Sequence, residues 1–481
     1  DEAAQANVPL AGHSEHGAAY NEGPRQNAYL MGGTGRVALP VTSAHEEAQA
    51  YFDQGLGQLY GFWYYEAERS FRRVVSLDPN CAMGYWGLAQ ANIDNRERGT
   101  DFIKEAHAKK KHAGDHEQMY IDALHEYLTS KAKEKQRRQS YVKALEKVIR
   151  QYPLDLEAKA MLAVHLWQSS KHELPIVSHQ AVDCLLEDIF RTAPDHPAHH
   201  FRIHLWDKEE PSQALASAAV CGQSAPAIAH MWHMPGHIYS RLHRYHDAIF
   251  QQEASARADH AHMMRDGVLP DQIHNYAHNN EWLIRNLIHV GRAGDAIRLA
   301  RNMLELPQHP KYNTYSMKEM CSCKYGRLRL LEILEKFEMW DQIVEISQSV
   351  YMPTTEIATL QTQRLRALGV AHHRRGETEL LANCIRRLDE LADEIRQKAQ
   401  QAELEAEQEL REKWSKLEQA PQYNEADNPG SDEPVDVDSQ EVAEDTNRAL
   451  LDTDLGPESP GEEDAADRDQ PKKFDKLSTA E

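Results

Sequence analysis

The sequence predicts an all-α chain: a right-handed α-solenoid of stacked helix pairs, with a long C-terminal helix and a disordered acidic tail. Three observations carry this. Small residues and a helix-stopping proline recur on a ruler of about 34 residues. Apolar residues follow helical spacing, with hardly any alternating strand pattern. No stretch approaches the roughly 18 consecutive apolar residues of a membrane span, and the 481 residues have a mean hydropathy of -0.71.

The first unit shows the ruler best. In "YFDQGLGQLYGFWYYEAERSFRRVVSLDP", counting from Ala48, Gly55 falls at position 8, Ala67 at 20, Phe71 at 24 and Pro79 at 32. This resembles a tetratricopeptide repeat (TPR), in which small residues at 8 and 20 let two antiparallel helices approach and the proline stops the second helix. The same ruler places Tyr85 and Ala89 at 4 and 8 of unit 82–115, and Trp232, Gly236, Tyr239 and Ala248 at 4, 8, 11 and 20 of unit 229–262. It places Gly291 and Ala296 at 15 and 20 of unit 277–310, and Gly369 and Gly376 at 8 and 15 of unit 362–395. Segments 116–156, 157–194 and 324–357 keep helical periodicity and read as degenerate repeats.

Four segments follow. Residues 1–43 form an irregular N-terminal segment, where "MGGTGRVALPVTS" lacks the Gly-Lys-Ser/Thr ending of a phosphate loop and reads as plain loop. Residues 44–384 form the solenoid. Residues 385–418 form a charged helix whose seam of Leu388, Ala392, Ile395, Ala399, Ala402 and Ala406 is mostly alanine, so it reads as solvated, with a coiled coil as the alternative. Residues 419–481 form the tail, too rich in Pro, Gly, Asp and Glu to offset the entropy of ordering.

The formal charge is -22, and residues 421–481 supply 19 acids against 5 bases. An acidic body with no basic stripe argues against nucleic acid as partner, and nothing suggests membrane insertion. The six cysteines are too scattered for a disulfide framework. The chain starts at Asp1, a weak pointer to the periplasm, the cell envelope or secretion, with the cytoplasm as the other expectation.

The chemistry points to histidine. Of 27 histidines, 13 lie between His196 and His278. In a stacked pair, positions 2, 5, 9 and 12 of the first helix line the inner groove. His230, His233 and His237 occupy positions 2, 5 and 9 of their unit, and His278 and Glu281 positions 2 and 5 of the next. In the preceding unit His200, His204 and Asp207 share one helical face and reach positions 5, 9 and 12 if the turn is one residue short. Three successive first helices, about 10 Å apart, then aim imidazole and carboxylate into one hollow, and the rings are not needed for packing.

Imidazole and carboxylate without thiolate suit zinc, copper, iron or manganese. The pairs His200 with His204 and His233 with His237 have chelating spacing, and neither has the Glu of a helix-borne zinc-protease motif. Cys321 and Cys323 read as packed residues, and His243, His246, His260 and His262 as surface. No Ser or Cys carries a nucleophile signature, so whether the protein is an enzyme stays open.

The segments "HHFRIH", "HMWHMPGHIYSRLHRY" and "HNNEWL" resemble a family of bacterial TPR proteins with His-x-x-x-His-x-x-acid, His-x-x-His-Met-Pro-x-His-Ile-Tyr and His-Asn segments. The likeness runs from about Val41 to about Leu391. It implies a fold and a recurrent His pattern, carried here by His200, His204, Asp207, His230, His233, His237, His278 and Asn279, and it implies no reaction. Glu281 stands where the family tends to have another His. Two functions are expected: a transition-metal site in the concave groove, serving metal handling or catalysis, or a metal-free scaffold that holds a peptide or protein there.

Overall fold

The computed structural model describes residues 27–273, 276–307 and 321–418. Residues 1–26 and the acidic segment 419–481 lie outside the described residues. Among the described residues there are no strands, and eighteen α-helices follow one another as nine antiparallel pairs. The pairs are α1 (Glu46–Tyr60) with α2 (Tyr64–Leu77), α3 (Ala82–Ala91) with α4 (Arg96–Lys109), α5 (Asp115–Thr129) with α6 (Glu134–Gln151), and α7 (Leu156–Ser169) with α8 (His179–Thr192). Then come α9 (His199–Trp206) with α10 (Leu215–Ser224), α11 (Ala229–Arg241) with α12 (Tyr245–Asp266), α13 (Tyr276–His289) with α14 (Ala293–Glu305), α15 (Ser322–Lys336) with α16 (Trp340–Ile346), and α17 (Ala358–Arg374) with α18 (Thr378–Glu418). The chain is a TPR-type solenoid. The degenerate segments 116–156, 157–194 and 324–357 supply α5/α6, α7/α8 and α15/α16.

Packing inside the first unit explains the ruler. A Cβ on Gly55 would lie 2.8 Å from the Phe71 ring, and one on Gly87 only 2.3 Å from it, so Phe71 slots between two helices that glycine alone lets close. Turns within five of the nine pairs share one geometry. Position 15 has positive φ at Phe62 (54°), His243 (55°), Gly291 (75°), Glu338 (54°) and Gly376 (73°). The next N–H returns to the carbonyl five residues back, as in Trp63 to Gln58 at 2.8 Å and Arg292 to Leu287 at 2.9 Å, which closes the helix end. Where the residue is not glycine, the backbone bears a left-handed conformation that costs about 1–2 kcal/mol.

Residues 27–44 form an irregular segment gripped by side chains of the first helices. Glu157 accepts from the Ala38 N–H at 2.7 Å, Glu117 from the Thr42 N–H at 2.6 Å, and Gln54 from the Met31 N–H at 2.7 Å. Gly33 accepts from the Ala227 N–H at 2.9 Å, just before α11. The carbonyl of Thr34 would be 2.1 Å from a Cβ on Gly57, so this close approach requires glycine.

The buried apolar residues fall into two clusters, one from Ala28 to Ala248 and the other from Ile249 to Cys384. Between them, on α12 and α13, lie buried Gln252, Ser255, Asp259, Asn279 and Asn280. The candidate site is built beside this polar layer. No helix of the described residues is long and apolar enough to cross a membrane.

Candidate metal centre

The six predicted histidines gather as two triads. His200 and His204, one turn apart on α9, meet His230 from the start of α11; His233 and His237, one turn apart on α11, meet His278 from α13. Within each triad the ring nitrogens all lie within 4.8 Å of one another. Each triad therefore takes two rings from one first helix and a third from the next.

Asp207 and Glu281 stand outside both triads. Asp207 accepts from Arg241 Nε at 2.8 Å, and Glu281 accepts from Arg329 Nε at 2.7 Å. Their other oxygens lie behind the rings, Asp207 Oδ2 at 3.8 Å from His237 Nδ1 and Glu281 Oε1 at 3.9 Å from His278 Nδ1. Two carboxylates expected as ligands are thus held by guanidinium groups on the outer side of the imidazoles. Asn279 is likewise turned away and donates to Asp259 at 2.8 Å. Burial raises Asp259 to about 8, so that carboxyl keeps its proton at neutral pH.

Hydrogen bonds fix which ring nitrogen carries the lone pair. His200 Nδ1 lies 2.6 Å from the Tyr60 carbonyl. A carbonyl only accepts, so Nδ1 bears the proton and Nε2 the lone pair. The Nε2 atoms of His200 and His204 are both buried, with no hydrogen-bond partner among the described residues. His233 is held by Gln252, whose Nε2 donates to the His233 carbonyl at 3.2 Å while its Oε1 accepts from His233 Nδ1 at 2.8 Å. The His233 lone pair is then on Nε2, 2.8 Å from His237 Nε2. Gly236 makes room for this clamp, since a Cβ there would meet Gln252 Nε2 at 2.2 Å.

The rings differ in depth. His200 and His233, both at position 5, are 0% exposed, so they do serve packing, contrary to the sequence expectation. His204, His230, His237 and His278 are half-buried. Burial lowers His200 and His278 to about 4. It holds His204, His233 and His237 well below the usual range, with neighbouring imidazoles adding to the effect. Neutral imidazole is the metal-binding form.

Aromatic rings wall the triads. Phe62 lies 4.4 Å from the His200 ring and 5.3 Å from His204 between centroids, and Trp167 stacks on His204 at 4.3 Å. Trp282 lies 4.1 Å from His237. Each indole carries a cation, Lys171 at 4.4 Å from Trp167 and Arg285 at 4.5 Å from Trp282.

Other histidines are structural. His199 lies flat on Phe190 at 3.8 Å, and His196 faces the buried Glu157 at 3.3 Å. His262, expected on the surface, is buried at 4%, packed on Trp63 and paired with Asp266 at 2.9 Å. His243, His246 and His260 are exposed. Cys321 and Cys323 are buried and belong to neither triad.

Sequence reasoning missed Gln252, Tyr60, Phe62 and the two tryptophans. Gln252 left a signal: it occupies position 24, where the first unit has Phe71, opposite a glycine at position 8 in both units. Phe62 left a weaker one, a bulky residue at position 15 where two other units have Gly291 and Gly376.

No protein-family model matches the chain, and no curated protein matches it. Among solved structures it is similar to the TPR domain of P58(IPK), at 12% identity over 72% of this chain and 99% of that one, TM-score 0.18. It is also similar to the APC/C hetero-tetramer Cut9–Hcn1, at 12% identity over 72% and 74%, TM-score 0.25, and to the human IFIT1 dimer with PPP-AAAA, at 12% over 73% and 91%, TM-score 0.24. The fold is defined by the helix pairs of the chain itself.

Proposed function

We propose that this TPR-type solenoid binds a transition metal ion through its imidazole triads. The observation that carries the reading is the pair of buried Nε2 atoms of His200 and His204, which have no hydrogen-bond partner among the described residues, while the Tyr60 carbonyl holds the far nitrogen of His200. Leaving a buried acceptor such as His200 Nε2 unsatisfied costs about 1–3 kcal/mol, and a cation would remove that cost. Metal-bound histidines commonly donate their second nitrogen to a carbonyl, amide or carboxylate. Tyr60 and Gln252 do this here, and Asp207 and Glu281 stand behind His237 and His278. A cation between His233 and His237 would replace the proton those two nitrogens share.

All-imidazole sets suit zinc, copper and iron better than manganese, which favours oxygen ligands. Three protein ligands leave a coordination position open, as in catalytic zinc sites rather than closed structural ones. The site therefore serves either a metal-dependent reaction or the transfer of an ion. A second reading, a scaffold for an extended protein segment, draws on the grip that Gln54, Glu117 and Glu157 exert on the chain's own residues 27–44; in that reading an outside segment is held the same way.

Elemental analysis of untagged protein tests the metal reading. Bound zinc, copper or iron is expected, and replacing His233 and His237 together by alanine should release ion from the second triad. Protein that is purified clean and also fails to take up any of these ions would overturn it and leave the scaffold.

A further inference from the structure

The two triads are not independent. Helix α11 gives His230 to one and His233 with His237 to the other. The His230 and His233 rings are 5.8 Å apart between centroids and 23° from parallel. His230 is in turn 4.8 Å from His200, and His233 is 4.8 Å from His278. The six rings thus form one continuous run, and a ligand that reaches one triad is a ring's spacing from the next.

Charge around this run is one-sided. All six candidate ligands are imidazoles, which bind a metal as neutral donors. The two nearest carboxylates are already paired, Asp207 with Arg241 and Glu281 with Arg329, which Glu332 also contacts. Lys171 and Arg285 remain over the rings of Trp167 and Trp282. Divalent ions held here by neutral ligands would carry positive charge that the guanidinium-paired Asp207 and Glu281 offset only in part, with Lys171 and Arg285 adding to it. Such a site draws an anion, and a pair of ions clamps the oxygens of a tetrahedral oxyanion between them.

We propose that the triads load as a pair, one ion in each, and that their shared guest is an oxyanion of the phosphate type. This rests on the metal reading above. The test uses full-length protein loaded with Co2+ by equilibrium dialysis, its visible absorption recorded as inorganic phosphate is added. Comparison is with His230→Ala, His278→Ala and Arg285→Gln, all at partly exposed or outlying positions, and circular dichroism reports their folding. Two cobalt ions per chain are expected in the unsubstituted protein, and one in each histidine variant. Phosphate should shift the cobalt bands, and about tenfold more should be needed in Arg285→Gln, the change for a loss of about 1.4 kcal/mol. One ion per chain in the unsubstituted protein overturns the pairing while the three-imidazole reading stands. No cobalt at all overturns both. Two ions with bands indifferent to phosphate overturn the oxyanion guest. Stoichiometry in the unsubstituted protein decides the pairing even if a variant fails to fold.

Discussion

Replacing Gly236 by alanine should damage both the fold and the metal site, and the structure sets the size of the effect. Alanine in a helix interior is worth about 1 kcal/mol over glycine, so at an ordinary position the change would stabilise. Here the new Cβ would lie 2.2 Å from Gln252 Nε2 and 2.9 Å from its Cδ, and the amide must leave. Its departure breaks the bonds to His233 Nδ1 and to the His233 carbonyl, in a place where His233 is fully buried. Two stranded groups at about 1–3 kcal/mol each, less the helix gain, give a net loss of about 3 kcal/mol. The assay is urea unfolding of metal-free protein in a double-mutant cycle with Gln252→Ala, which empties the space the Cβ needs. In that background Gly236→Ala should be neutral or stabilising, a coupling of about 3–4 kcal/mol. Loss of the group that orients His233 should also weaken zinc binding by about 10–100-fold. Equal cost in both backgrounds would show that the glycine is not there to admit Gln252.

Two further outcomes follow from the same geometry. Metal-free protein should lose stability as the pH falls from about 6.5 to 4: unfolded histidines take up protons near 6.5 while the buried rings stay neutral, so the unfolded state gains. His200, held to about 4, accounts for about 3 kcal/mol of this by pH 4. Unfolding midpoints that stay flat across that window would refute it. Phe62→Gly should relieve the positive φ at position 15, worth about 1 kcal/mol, yet give a net loss of about 2 kcal/mol and weaker metal uptake, because the ring that packs on His200 and His204 goes. A variant that is more stable than the parent and binds metal equally well would show that this phenylalanine is incidental.

The sequence made the repeats legible because their determinants are local. Glycine at 8, alanine at 20 and a terminal proline act within one unit, and even the degenerate segments kept enough periodicity to place α5 to α8 and α15/α16. Chelating pairs were legible for the same reason, since i and i+4 share a helical face. That His230 joins the pair on α9 rather than its own helix's pair, so that the one expected hollow becomes two triads, was not read from the register. What the register could not supply was the fate of the carboxylates. Asp207 meets Arg241, 34 residues away, and Glu281 meets Arg329, 48 residues away, and nothing local marks either arginine as the partner. The Tyr60 carbonyl is 140 residues from His200, and a backbone atom leaves no trace in the sequence. His262 was misplaced because a helix end is exposed only if nothing else covers it, and Trp63 does.

A repeat array gains something from this placement. In a solenoid, stability is close to a sum of the units and the joins between neighbours, and both triads sit across joins, α9 to α11 and α11 to α13. The second of these runs beside the break between the two apolar clusters, where Gln252, Asp259, Asn279 and Asn280 replace the aliphatic side chains that bind other units together. Polar layers of this kind hold by hydrogen bonds whose net worth is small, so this join draws less on apolar burial. A ligand that binds only the assembled join adds its binding free energy there. On the proposed metal reading, ligation at His233, His237 and His278 would add to a join held in part by such hydrogen bonds, and so would couple occupancy of the site to the register of the repeats on either side.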